Sequence, residues 1–319
     1  MEFQKKINLA KQTHIPHHNG GWNLVLKLLN TFHSEDGIFT DDIADMTFGN
    51  NYEYYASNKM IPYKQHWIGF FHHPVNIAPW YNKSFQLKPI FMISSDEFRS
   101  SMDKCLGIYT FSKSMVKWYS DNLPALKVEQ LWHPTKTPDK LFKLENFMDN
   151  PRPKIINIGF FLRKLTTIFF LKCNQYEKVI LVNPQVYDYL HLEISYHKFD
   201  LDFSQVKFKS YVSSDEYDEL LTNNIAFLDL YDSCANNIII ECIARNTPIL
   251  VNKQEAVVEY LGENYPLYYT TLEEASKKLS NKVLISETHH YLKSLKTKEL
   301  ITPEYFSSSF NDSDIYKNL

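Results

Sequence analysis

The chain has 319 residues, a length that suits two domains, and 44% of them are hydrophobic, enough for a core in each. A formal net charge of -3 creates no field that attracts polyanions, so general nucleic-acid binding is not expected. No apolar run approaches the ~20 residues that span a bilayer, and the opening MEFQKKINLAKQ has no signal-peptide core. Cys105, Cys173, Cys234 and Cys242 form no CxxC pair and read as buried thiols of a reducing compartment. A soluble, cytoplasmic protein is the expectation.

Along the chain, apolar strand-like runs alternate with helical patterns, which predicts βαβ units and mainly parallel sheets. Gly20 and Gly21 precede a helical stretch, WNLVLKLLNTF. HWIGFF (66–71) reads as a buried strand and SSDEFRSSMDKC as a short helix with a serine cap. CLGIYTF is a strand, SKSMVKWYSDNL a helix capped by Ser112, and VEQLW (128–132) a closing strand. The polar, proline-bearing ENFMDNPRP (145–153) is the predicted linker. The alternation then restarts with KIINIG, a helix from about Leu165, KVILVN, VYDYLHL, VKFKS and SSDEYDELLTNN. It runs on through IAFLDL, NNIIIECIAR, TPILVN, EAVVEYLG, YPLYY and TLEEASKKL. This is the pattern of a doubly wound sheet, whose ligands sit outside the carboxyl ends of the strands.

The most informative stretch is 225–262, IAFLDLYDSCANNIIIECIARNTPILVNKQEAVVEYLG. Ser233, Asn236 and Asn237 fall at a helix start, where free N–H groups and the helix dipole favour an anion. Glu241 lies four residues after Asn237, on the same face one turn along. Its neighbours are apolar, so an unpaired charge would be costly there unless it served a ligand. A carboxylate so placed can accept two hydrogen bonds from adjacent ribose hydroxyls.

The run E-C-I-A-R-N-T-P-I-L-V-N resembles the E-A-x-A-x-G-x-P-V-V donor-site block of retaining GT-B glycosyltransferases of the family-four kind. The resemblance implies two Rossmann-like α/β domains facing a cleft, with 1–150 on the acceptor side and 151–302 holding the nucleotide sugar. It also implies a segment, 303–319, that crosses back to the first domain. Glu241 would bind the ribose and the loop 252–257 would face the donor. Ser233 stands where the family carries a second Glu, and Asn246 where it carries Gly. IINIGFFLRK (155–164) is similar to the strand and glycine turn that open the family's second domain, making Arg163 and Lys164 the cations for the donor diphosphate. Gly20 and Gly21 resemble the family's phosphate-side glycine loop, and His72 and His73 end a strand on the acceptor side as the catalytic candidates.

The expected function is sugar transfer from a nucleotide sugar, of UDP or GDP type, to a glycan, another hydroxyl acceptor or a modified nucleobase, without metal or cofactor. A sugar-nucleotide epimerase of the same architecture and a non-catalytic glycan-binding protein stay open. Adjacent histidines (17–18 and 72–73) rarely share one ion, His289 and His290 read as surface, and Asp200 and Asp202 of the DLD run read as solvated loop carboxylates.

Overall fold

The computed structural model describes residues 4–9, 21–210 and 212–319. Gly20, His17 and His18 lie outside the described residues. The chain divides into two compact units, Met1–Lys136 with Glu299–Leu319, and Thr137–Lys298.

In the first unit β1 (Ile7–Asn8), β2 (Ile38–Asp41), β3 (Trp67–Phe70), β4 (Cys105–Thr110) and β5 (Val128–Gln130) form a parallel sheet in that spatial order. β3 is buried along its whole length, as strands covered on both faces are. The Trp22–Leu29 helix buries Trp22, Val25, Leu26 and Leu29, the i, i+3, i+4, i+7 stripe that its sequence predicts. Ser95 and Ser112 cap the Asp96–Met102 and Lys113–Asn122 helices by accepting from the Phe98 and Met115 N–H groups. The Pro303–Asp312 helix belongs to this unit because Phe310 enters its aromatic core: ring centroids lie 5.0 Å from Phe32 and 5.4 Å from Tyr109. The Tyr109 hydroxyl also meets Ser313 Oγ at 2.7 Å.

The second unit holds β6 (Lys154–Ile158), β7 (Glu177–Val182), β8 (Lys207–Ser210), β9 (Ile225–Leu228), β10 (Ile249–Asn252) and β11 (Tyr268–Tyr269). Their spatial order is β11-β10-β9-β6-β7-β8, all parallel, so the winding direction reverses between β6 and β9. That reversal opens a crevice at the carboxyl ends of these two strands. The Asn237–Arg245 helix ends at Asn246 in the left-handed region (φ 61°), which Asn tolerates better than other residues with a side chain.

Three expectations change. The stretch predicted as a linker carries a helix, Leu144–Asp149, anchored in the second unit by fully buried Phe147. The helix expected from Leu165 is a single turn, Thr167–Phe170, without a side-chain cap of its own; the N–H of Thr166 just before it donates to Glu193. His289 is buried and bonded at 2.9 Å to the Asn246 carbonyl, while its neighbour His290 stays exposed. A helix turns adjacent side chains through 100°, so one histidine of a pair reaches the core and the other does not.

At the end of β2, Asp41 is fully buried and accepts from the hydroxyls of Tyr63 (2.5 Å) and Thr47 (2.7 Å) and from the Ile43 N–H. Removing one donor strands part of a buried charge. Tyr63→Phe is therefore expected to destabilise the first unit by about 2 kcal/mol, read from the shift of its denaturation midpoint.

Candidate functional site

The second unit's crevice is built by two loops that bind each other. After β6 the chain turns at Gly159, whose φ of 81° suits glycine. A Cβ here would come 2.8 Å from Arg163 Cζ, so the absence of a side chain lets the guanidinium lie over the turn. Main-chain bonds then join this turn to the loop after β9: the Lys164 N–H donates to the Asp229 carbonyl and the Tyr231 N–H to the Leu162 carbonyl, each at 2.8 Å. From the far side Asn252, at the end of β10, clamps Leu230 by accepting from its N–H (2.7 Å) and donating to its carbonyl (2.8 Å).

Arg163, 8% exposed, donates to the Phe161 carbonyl at 2.8 Å and reaches Asn236 Oδ1 at 3.4 Å. Asn236 is the cap of the Asn237–Arg245 helix and accepts from the Ile238 N–H. The structure thus brings Arg163, Asn236 and the helix N-terminus together, with half-buried Asn237 as the first helical residue and buried Ser233 just before it. A guanidinium beside a helix N-terminus is an arrangement that favours negative charge.

Lys164 is placed differently from the expectation of a second open cation. Its ammonium pairs with Asp229 at 2.9 Å. Burial raises the Asp229 carboxyl above its usual range, while Lys164 and the Tyr269 hydroxyl pull it back. This pair borders a polar cavity of about 280 Å³, lined also by Asn252, Lys253, Tyr269 and Thr270.

Glu241 is 8% exposed and, contrary to the argument from its apolar neighbours, it is paired. The Tyr217 hydroxyl donates to its Oε2 at 2.6 Å, and the Arg245 guanidinium stands 4.0 Å from the same oxygen while holding Asp218 at 2.7 and 3.1 Å. Burial raises the Glu241 carboxyl, with Tyr217 and then Arg245 opposing. Among the described residues only Oε2 is engaged, which leaves Oε1 as an acceptor.

In the first unit His72 and His73 follow β3, and the carboxylate of fully buried Asp45 accepts both of their N–H groups, at 2.6 and 3.2 Å. His72 donates from Nε2 to the Asp42 carbonyl (3.1 Å) and stands edge-on to Trp22 at 4.3 Å. Burial lowers its pKa, so the ring is neutral near pH 7 with Nδ1 as the basic atom. His73 donates from Nδ1 to the Leu87 carbonyl at 2.8 Å. Gly21, at φ 68°, leads into the helix whose Trp22 donates to Asp42 at 3.1 Å. Among the described residues no three His, Cys, Asp or Glu side chains gather as metal ligands, and Asp202 caps the Phe203–Gln205 turn.

Sequence reasoning missed two features. One is the run TDDIAD (40–45), whose three buried aspartates order the end of β2 and the 72–73 segment; carboxylates crowded after an apolar strand were the signal. The other is Glu193, 1% exposed on the Pro184–His197 helix. It continues the buried stripe of Val186 and Leu190, so a charge at a core position was visible.

Burial pushes the Glu193 carboxyl up to about 7, against hydrogen bonds from Thr166 and Leu165 that lower it. The folded state therefore holds a proton that the unfolded state releases near pH 4.5. Stability from this group is complete below the lower value and falls as pH rises towards 7. The wild type is expected to lose about 3 kcal/mol more than Glu193→Gln between pH 4.5 and 8, measured as denaturation free energy across pH.

No protein-family model matches the chain, and no curated protein does. Solved structures do. A UDP-forming α,α-trehalose-phosphate synthase from Burkholderia xenovorans has a TM-score of 0.56 at 14% identity, over 90% of this chain and 76% of that one. Sucrose-phosphate synthase from Thermosynechococcus elongatus has a TM-score of 0.61 at 10% identity, over 96% and 80%. TarM from S. aureus, solved with UDP and α-GlcNAc-glycerol, has a TM-score of 0.57 at 13% identity and covers 92% of this chain, which spans 57% of TarM. At such identities the likeness is one of fold, and the fold is that of the GT-B glycosyltransferases: two Rossmann-like α/β units, each with a parallel sheet.

Proposed function

We propose that this protein is a glycosyltransferase that moves a sugar from a nucleotide-sugar donor to a hydroxyl acceptor, as the family-four-like resemblance of its ECIARNTPILVN block implies. The observation that carries the reading is Arg163, set by the Gly159 turn against the Asn236 cap at the point where the sheet reverses its winding. A leaving nucleoside diphosphate develops negative charge, and a fixed guanidinium with a helix N-terminus stabilises it without a metal or cofactor. Lys164 contributes less while Asp229 holds it. Glu241 offers Oε1 to the ribose, with Oε2 braced by Tyr217. The Ser233 turn takes the place next to the sugar, where a hydroxyl replaces the family's carboxylate. UDP is the nucleotide to test first, because structural neighbours include a UDP-forming synthase and enzymes solved with UDP.

The first unit presents the acceptor in this reading. His72 and His73 lie at the carboxyl end of β3, where ligands of such sheets bind, and His72 keeps a neutral ring able to take a proton from an acceptor hydroxyl. The proposed partners are the nucleotide sugar and a glycan or similar hydroxyl compound. No helix among the described residues is long and apolar enough to cross a membrane.

Two substitutions test the donor site. Arg163→Ala is expected to weaken UDP or GDP binding by about ten- to a hundredfold and to leave the nucleoside nearly unaffected, in titrations of each ligand. Equal losses for both would make Arg163 structural. Glu241→Gln keeps the shape and one acceptor oxygen but removes the charge. It is expected to raise the donor dissociation constant, and to reduce the penalty for a 2′-deoxy donor relative to wild type. Unchanged affinity in a folded Glu241→Gln protein would sink the ribose assignment.

A further inference from the structure

The turn that carries Arg163 and Lys164 is fixed by a residue outside both loops. Glu193 Oε2 accepts from the Leu165 N–H at 2.7 Å and the Thr166 N–H at 3.3 Å, while Oε1 accepts from the Thr166 hydroxyl at 2.7 Å. These are the two residues that follow Lys164 directly. The other side of the turn is held by the Phe160 carbonyl, which accepts from Arg163 at 3.1 Å, and by the Asp229 carbonyl, which accepts from Lys164. The basic pair is thus pinned from β9 on one side and from the helix after β7 on the other.

We propose that Glu193 is a positioning residue that sets Arg163 and Lys164 for a nucleoside diphosphate, an inference that rests on the donor-site reading above. Burying a carboxylate carries a desolvation cost, and an apolar side chain on this stripe would fill the space without it. What the carboxylate adds is aim. Two consecutive N–H groups converge on one oxygen, Oε2, and the Thr166 hydroxyl meets the other, so three bonds fix the direction of the chain here. The register of Leu165 and Thr166 therefore fixes the backbone from which both cations project. The bonds to the loop after β9 end at Lys164, and the Thr167–Phe170 helix that follows is four residues long, so the Leu165 and Thr166 N–H groups between them are answered by Glu193. Burial also supports the role: with Glu193 1% exposed, solvent cannot replace the bonds it makes.

The experiment compares UDP and GDP with uridine and guanosine by calorimetric titration of the full chain. In Glu193→Ala the diphosphate that wild type binds is expected to lose about tenfold in affinity, while its nucleoside stays within about twofold. Glu193→Gln keeps an acceptor for the two N–H groups and lets its amide donate to the Thr166 hydroxyl. It is expected to stay within about twofold of wild type for both ligands, a rescue by the conservative change. Thr166→Val removes one of the three bonds without emptying the core and is expected to show the same selective loss at about threefold, which carries the test if Glu193→Ala does not fold. Equal losses of diphosphate and nucleoside, or no loss, overturn the positioning role and leave the donor site standing. Wild type that binds neither diphosphate overturns the donor site and this inference with it.

Discussion

The junction between the loops after β6 and β9 is the constraint on which the second unit's site depends. Gly159 permits the turn, main-chain bonds from Lys164 and Tyr231 lock it to the opposite loop, and Asn252 clamps that loop in turn. Each bond satisfies a backbone group that a buried loop would otherwise leave unpaired. The result is a rigid edge, at the winding reversal of the sheet, on which Arg163 and the start of the Asn237–Arg245 helix hold fixed positions. Rigidity there matters chemically, because preorganised charge stabilises a developing anion without reorganising first.

Buried carboxylates do similar work in both units. Asp41, Asp42 and Asp45 gather the donors around the carboxyl ends of β2 and β3, including the main-chain N–H groups of His72 and His73. Glu193, Asp229 and Glu241 do so in the second unit, and burial raises the carboxyl of each. A charge removed from water is tolerated only where several donors converge on it. In this chain such positions lie beside the candidate sites.

Some of this was legible in residues. The alternation of apolar runs and helical stripes announced two parallel sheets, because strand and helix periods differ and each was kept over whole elements. The 225–262 block placed a helix N-terminus after a buried strand, and the Asn236 cap sits there. Less legible were Lys164 and Glu241, whose charges meet Asp229 and Tyr217 from distant stretches of chain. The linker reading failed because polar and proline residues around 145–153 mark a short surface helix as readily as a hinge; Phe147 alone decides it by reaching the core.

The sequence by itself determined the class of fold, the order of the elements and the residue types available for an anion and a ribose. Those follow from local periodicity, caps and glycine, which act over a few residues. Only the tertiary structure decided which charges stay open and which are answered. Lys164 and Asp229 are 65 positions apart, Tyr217 and Glu241 24, and Glu193 stands 28 from the Leu165 N–H it accepts from. Pairings of that range depend on strand order, which sets neighbours across the sheet and leaves no periodic trace in the chain.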